Sequence, residues 1–298
     1  MSNYNSILIS GPTASGKSRL ALDIAEKVGG VVINADSMQI YNTISLITAR
    51  PSNKDMDTIP HFLYGYIDPK IRYSVGEWVS DVESLINFLI KINKIPIIVG
   101  GTGLYFAALF GEISEIPEIT AKTRLKWEGM KGLKGTEALF HKLKELDPKS
   151  AATINSTDTT RIIRALEVFD ETGKSIRDWQ ASPGKPIINK STSKMIYLCP
   201  PRNVINDNII NRTSEIIGND QLYEEIKLLS SRKISDSNPV MKAIGVKDTI
   251  AYLEDDISLE ILNDRIVTNT KRYVKRQLTW ARKKMMDWEW IDEPKYFF

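Results

Sequence analysis

The segment Gly11-Pro12-Thr13-Ala14-Ser15-Gly16-Lys17-Ser18 constrains this chain more than any other. Its pattern, G-x-x-x-x-G-K-[ST], belongs at the crest between a strand and a helix. Both flanks comply: Ser6–Ser10 (SILIS) is an apolar run of strand length, and Ser18–Lys27 reads as a helix. The glycines let backbone N–H groups face inward as an anion nest, Lys17 reaches outer phosphates, and the Ser18 hydroxyl can ligate Mg²⁺. The following helix adds the positive end of its dipole. A tight glycine turn with a snorkelling lysine would not require this setting, so a bound di- or triphosphate is expected.

The first 110 residues or so continue the alternation. Val31–Asn34 is a second buried strand and Ile95–Val99 (IPIIV) a third. Between them Trp78, Val82, Leu85, Leu89 and Ile92 recur at helical spacing. Strands that are apolar throughout, alternating with helices, predict an α/β fold: a parallel sheet flanked by helices on both faces. From Glu112 the chain becomes helical and lysine-rich, with its clearest helix at Asp158–Glu171 striped by Ile162, Ile163, Leu166 and Phe169. Strand character returns at Lys194–Leu198. The expected division is a core at 1–112, a helical insertion at 113–193, and a return to the core with basic C-terminal helices at 194–298.

Two features near the phosphate loop stay open on residues alone. Asp36 closes the second strand, where open α/β sheets place their ligands. It can act as a general base, hold Mg²⁺ through water, or simply cap the next turn. Gly100-Gly101-Thr102-Gly103 stops the third strand where ATP-hydrolysing relatives of this loop carry a metal-binding Asp. It offers amides and the Thr102 hydroxyl to a second edge of a phosphate site, or else close packing, but no acid to activate water.

Composition bears mainly on exclusions. Forty Lys and Arg against 37 Asp and Glu give a net charge of +3, far from a basic tail. One cysteine, Cys199, excludes a disulfide framework, and two histidines, His61 and His141, leave little for zinc. No signal peptide and no membrane-length apolar run is visible, so a cytoplasmic protein is expected. Lys271, Arg272, Lys275, Arg276, Arg282, Lys283 and Lys284 crowd one helical stretch, with Arg265, Asn269, Arg272, Arg276 and Lys283 on one face. Interleaved with Tyr273 and Trp280, this stripe suits a nucleic-acid backbone; the competing reading is a solvated face whose aromatics pack inward.

Taken together, GPTASGKS, INADSMQIY and VGGTGLYF resemble the tRNA dimethylallyltransferases (tRNA isopentenyltransferases) of bacterial type. The likeness extends through TARP, PHFL, YSVGEW, Asp147-Pro148, DTTRIIRALEVFDETG, KAIGVKD and TKRYVKRQLTWAR, in order and nearly end to end. It implies a P-loop NTPase-like fold with a helical insertion domain grasping the anticodon arm. The implied reaction moves a dimethylallyl group from dimethylallyl diphosphate to the exocyclic amine of the adenine 3′-adjacent to the anticodon in tRNA, releasing diphosphate. Mg²⁺ is the implied cofactor, and a monomer without membrane attachment the expected form.

By the same resemblance Asp36 is the general base, and Thr13, Lys17, Thr102 and Arg212 complete the catalytic set. The diphosphate would lie against Gly11, Pro12, Thr13, Ala14, Ser15, Gly16, Lys17, Ser18 and Gly101, with Ser18 toward the metal. Asp36, Ser37, Met38, Gln39, Arg161, Arg164, Arg272 and Arg276 match tRNA-facing positions. Asn208 stands where the family usually has arginine, Ile47 where it has glycine, Thr160 where glutamine or arginine is common, and Val246 where it has tyrosine. An adenylate prenyltransferase would need neither the insertion nor the basic helix. A phosphate-loop kinase or NTPase that binds RNA would need the missing acid.

Overall fold

The structure, a computed structural model, describes residues 4–294. They separate into two compact units, Met1–Leu109 with Ile187–Phe298, and Phe110–Pro186.

The first unit is built on β1 (Ser6–Ser10), α1 (Lys17–Val28), β2 (Val31–Asn34), α2 (Asn53–Thr58), β3 (His61–Phe62), α3 (Val75–Lys91), β4 (Pro96–Gly100) and α4 (Gly103–Leu109). All its described strands pair in parallel in one sheet, which later gains two strands and then runs β3-β2-β4-β1 outward to them. Ile7 and Ile9 of β1 pack with Leu20, Ala21 and Ile24 of α1, while the alternate residues Leu8, Ile33 and Ile98 are as fully buried on the other face. Burying each such side chain contributes roughly 1.5–3 kcal/mol, so a sheet covered on both faces tolerates few polar residues. In α3 the buried stripe is Trp78, Val82, Ile86 and Leu89. Leu85 is only half-buried, and Ile92 is exposed because the helix ends at Lys91.

The second unit holds α5 (Ala121–Leu146), α6 (Pro148–Ala151), α7 (Thr159–Thr172) and α8 (Ile176–Gln180). Trp127, Leu139 and Leu143 of α5 pack against Ile162, Ala165, Leu166 and Val168 of α7. Ile163 and Phe169, expected in that stripe, are half-buried, since the packed face lies about one residue around the helix. Gly135, at φ 74°, interrupts α5 with a non-helical residue. Asp147 caps α6 by accepting the Ser150 N–H at 3.0 Å, with Pro148 preset in the first turn.

The division expected at 113–193 is corrected at both ends. The N–H groups of Ile187 and Ile188 both donate to the Leu109 carbonyl, at 2.8 and 3.1 Å. The chain therefore leaves and re-enters the first unit at one place, and residues 187–192 already belong to it.

Beyond the re-entry lie β5 (Ser193–Leu198), α9 (Arg202–Ile217), α10 (Asp220–Ser231), α11 (Val246–Leu253), α12 (Leu259–Lys284) and β6 (Glu289–Ile291). β5 pairs with β1 and β6 with β5, giving the order β3-β2-β4-β1-β5-β6. Helix α9 packs on α12 through Ile205, Ile209 and Val274. Ile216, Leu222, Ile226, Leu229 and Val246 enclose Ile40, Tyr41, Ile44 and Ile47 in a second core, anchoring the loop after β2. No helix among the described residues is long and apolar enough to cross a membrane.

Candidate active site

The register brings four strand ends together: Ser10 lies opposite Gly100 and Tyr197, and Asn34 opposite Val99. Beyond them come the phosphate loop, Asp36, and the Gly100–Gly103 turn. Gly16 caps α1 at φ 88° with no side-chain cap, so the first amides of the helix are left for a ligand. Ala14, at φ 65°, also takes the left-handed conformation that turns successive N–H groups inward. Its carbonyl accepts the Asn208 Nδ2 at 3.0 Å, so Asn208 buttresses the loop. Ser15 is buried with its Oγ unpartnered.

Thr13, Ala14, Gly16, Lys17, Ser18, Asp36, Gln39 and Arg212 line one cavity of about 170 Å³. Arg212, on α9, reaches the loop across a long stretch of sequence and donates to the Ile47 carbonyl at 3.5 Å. Lys17 Nζ rests 3.2 Å from the Pro12 carbonyl. Burial pulls the Lys17 ammonium down to about 8, opposed by the Asp36 carboxylate and reinforced by Arg212. Burial likewise lowers Arg212, again opposed by Asp36. Two desolvated cations thus flank one carboxylate, an arrangement that favours an incoming anion.

A larger cavity of about 260 Å³ shares Thr13, Asp36 and Arg212 with the first and adds Ser37, Met38 and Arg276, with an apolar wall that includes Ile47, Ile209, Ile216 and Ile266. A third, of about 220 Å³, is lined by Gly11, Gly101, Thr102, Tyr273, Arg276 and Trp280, among others.

Asp36 is held by its neighbours. The Asn34 Oδ1 accepts the Asp36 N–H at 2.8 Å, and its Nδ2 donates to the Asp36 and Leu63 carbonyls at 3.0 and 2.9 Å. The Asn34 carbonyl takes the Trp78 indole N–H at 3.0 Å. Asp36 Oδ1 accepts the Met38 N–H at 2.9 Å, so the capping role exists alongside its place in both cavities. In the glycine turn the close-packing expectation is met. A Cβ on Gly100 would collide with the Ala35 backbone and one on Gly103 with the Trp280 ring, so close packing demands glycine at both. Thr102, between them, accepts the Ser37 N–H at 3.0 Å and is hydrogen-bonded to Tyr273, whose phenol pKa burial raises.

The remaining expected positions are more scattered. Both Gln39 donors are used, on the Thr48 and Ala49 carbonyls at 3.0 and 2.9 Å, leaving its Oε1 as the available group. Arg276 lies over the Tyr273 ring at 5.4 Å, Arg265 pairs with Asp248 at 3.6 Å, and Arg272 is exposed on α12. Tyr273 and Trp280 turn toward the glycine turn, as the inward-packing reading had it. In the helical unit Arg161 pairs with Asp158 at 2.9 Å and Arg164 with Glu167 at 3.8 Å. Sequence reasoning passed over Asn34 and Gln277. Each had a signal, a polar residue ending an otherwise apolar strand and one in the buried register of a helix.

Fold and site define a phosphate-loop α/β protein in which the loop lysine, a carboxylate and an arginine from a distant helix share one cavity. A family model described as IPP transferase matches residues 39–284, and one described as isopentenyl transferase matches residues 4–66. The tRNA dimethylallyltransferase of Allorhizobium ampelinum is 44% identical over 97% of this chain and 95% of its own length, and that of Bartonella henselae 43% identical over 95% and 97%. Among solved structures, the tRNA isopentenylpyrophosphate transferase of Bacillus halodurans superposes with TM-score 0.67 at 34% identity, covering 96% of this chain and 88% of that one. A eukaryotic dimethylallyltransferase acting on tRNA gives 0.77 at 28%, covering 93% and 69%. The chain belongs to the IPP transferase family.

Proposed function

We propose that this chain transfers the dimethylallyl group of dimethylallyl diphosphate to the exocyclic amine of the adenine 3′-adjacent to the anticodon in tRNA. The observation that carries the reading is Asp36 lining the cavity of the phosphate loop between Lys17 and Arg212. The amine nitrogen attacks the allylic carbon, whose C–O bond breaks with its electron pair leaving on diphosphate. The amine proton passes to the Asp36 carboxylate. Lys17, Arg212, the loop amides and the Thr13 and Thr102 hydroxyls act on the negative charge that grows as the bond breaks. The larger cavity, apolar along Ile47, Ile209, Ile216 and Ile266 and polar at Asp36, offers room for the allyl chain beside the incoming base. That base must leave its stack, as bases do for enzymes that modify them.

Mg²⁺ fits as an ion arriving with the diphosphate. Among the described residues no group of three or more His, Cys, Asp or Glu gathers to hold a metal. Mg²⁺ commonly needs only one or two protein oxygens beside phosphate oxygens. Ser18, on the same cavity, would hold it, and it would neutralise charge on the departing diphosphate.

Ser37, Met38 and the free acceptor of Gln39 would face the target base, while Arg161, Arg164, Arg272 and Arg276 would contact the RNA backbone. For Arg272 this makes a separate prediction. Arg272→Ala should weaken stem-loop binding and lower the slope of log affinity against log salt by about one, leaving the rate at saturation unchanged. A salt series of binding curves checks it; an unaltered slope would return that side chain to a solvated face.

The reaction itself is tested with labelled dimethylallyl diphosphate, Mg²⁺, and either an anticodon stem-loop or free adenylate. Label in the stem-loop is expected. Label only in adenylate would mean a nucleotide prenyltransferase, and ATP hydrolysis without transfer a phosphate-loop NTPase.

A further inference from the structure

We infer that Gln277, on α12, is a positioning residue that sets the geometry between the phosphate loop and Asp36. This rests on the function proposed above for the site, although part of its test does not. Gln277 is 9% exposed in the middle of a helix otherwise rich in charge. Its carboxamide is used at both ends. Oε1 accepts the Thr13 N–H at 3.0 Å and lies 3.5 Å from the Thr13 hydroxyl, while Nε2 donates to the Gly101 carbonyl at 3.0 Å.

These bonds span a gap the sheet does not close. The last paired residues of β1 and β4 are Ser10 and Gly100, and beyond them each strand runs out into its own loop. Gln277 ties the two crests together from a third element. On the far side the tie continues: the Thr102 N–H donates to the Ala35 carbonyl at 3.2 Å, and Thr102 Oγ1 accepts the Ser37 N–H. One line of bonds therefore runs from Thr13 through Gln277, Gly101 and Thr102 to the residues on either side of Asp36. A buried amide bonded through both its oxygen and its nitrogen resists displacement, because moving it strands polar groups away from water.

Two consequences follow for the chemistry. The Thr13 N–H is committed to Gln277, so what Thr13 offers a diphosphate is its hydroxyl, aimed from a backbone that Gln277 holds. Gly101 has a specific reason to be glycine, since a Cβ there would collide with Gln277 Nε2. A misplacement of about 1 Å between reacting groups can cost about 100-fold in rate.

The test uses two substitutions in the full chain. Gln277→Met keeps the length and packing but loses both bonds. It is expected to lower kcat by about 10- to 100-fold and weaken binding of inorganic diphosphate, with stem-loop affinity within about twofold of wild type. Gln277→Glu keeps the acceptor for Thr13 but sets a carboxylate oxygen against the Gly101 carbonyl. Once protonated it is again a donor and an acceptor, so its rate relative to wild type should rise as pH falls. Asp36, Lys17, Tyr273 and Arg276 are common to both proteins, so taking the ratio at each pH removes the pH dependence the two share. Wild-type kcat and diphosphate affinity in Gln277→Met, or a flat ratio for Gln277→Glu, would overturn the inference. A wild-type chain that moves no label would count against the proposed function alone, because diphosphate affinity in the same variants still reports on Gln277.

Discussion

Asp36→Asn is expected to slow prenyl transfer by about 100- to 10,000-fold, the range general bases supply, while the stem-loop should bind nearly as tightly as before. The substitution is well isolated. Asparagine retains an Oδ1 to accept the Met38 N–H, and the bonds from Asn34 to the Asp36 backbone do not involve the side chain. What disappears is a carboxylate able to take the amine proton. Its charge also disappears from between Lys17 and Arg212, where it opposes the effect of burial on both. Diphosphate affinity should therefore hold or improve even as the rate collapses. Single-turnover rates with equilibrium binding of each substrate separate these effects. If the deficit lay instead in the Mg²⁺ concentration needed for half-maximal rate, Asp36 would be serving the ion and not the proton; near-normal turnover would remove it from the chemistry.

Lys17→Ala should lower kcat/KM for dimethylallyl diphosphate by about 100-fold or more, the scale seen when one preorganised donor to a developing anion is removed. Stem-loop binding should be unaffected. The wild-type lysine predicts a pH signature as well. In the ligand-free protein burial holds its pKa at about 8 against an ordinary 10.5. Between those values the unfolded chain binds more protons than the folded one, so this group's contribution to stability rises with pH across that window. Ligand binding has the opposite sign, because the diphosphate selects the protonated amine. Affinity should be full below about 8 and weaken above it, by up to about tenfold per pH unit, and Lys17→Ala should abolish this inflection. Titration calorimetry with inorganic diphosphate checks both statements. A wild-type affinity flat across the lysine's range would show that its charge does not reach the ligand.

Much of this site was legible in residue order because its parts are local. The phosphate loop is one contiguous stretch, and its left-handed Ala14 and Gly16 follow from the motif's own demands on the backbone. Apolar runs separated by helical periodicity were enough for a parallel sheet, since only strands covered on both faces can be apolar throughout. Asp36 at the end of β2 could likewise be placed beside the loop, because parallel strands deliver their carboxyl ends to one edge. The insertion boundary was less accessible. It depends on two backbone bonds to Leu109 that no pattern of side chains announces.

Local order thus determined the loop, the sheet and the carboxylate at its edge. Which distant side chains close around them was decided only by tertiary packing. Arg212 and Asn208 reach the phosphate loop because α9 packs on α12 through Ile205, Ile209 and Val274. Gln277 reads in sequence as a polar residue in the buried register of a basic helix, and gains its meaning from the two strand crests it meets. Asp36 and the glycine turn were placed by packing in the same way. Asp36 caps its turn and faces the cavity, and the turn packs through Gly100 and Gly103 while presenting Thr102. The physical reason is range: backbone conformation is set by neighbouring residues, whereas convergence of side chains on one point requires elements remote in sequence to share a buried interface.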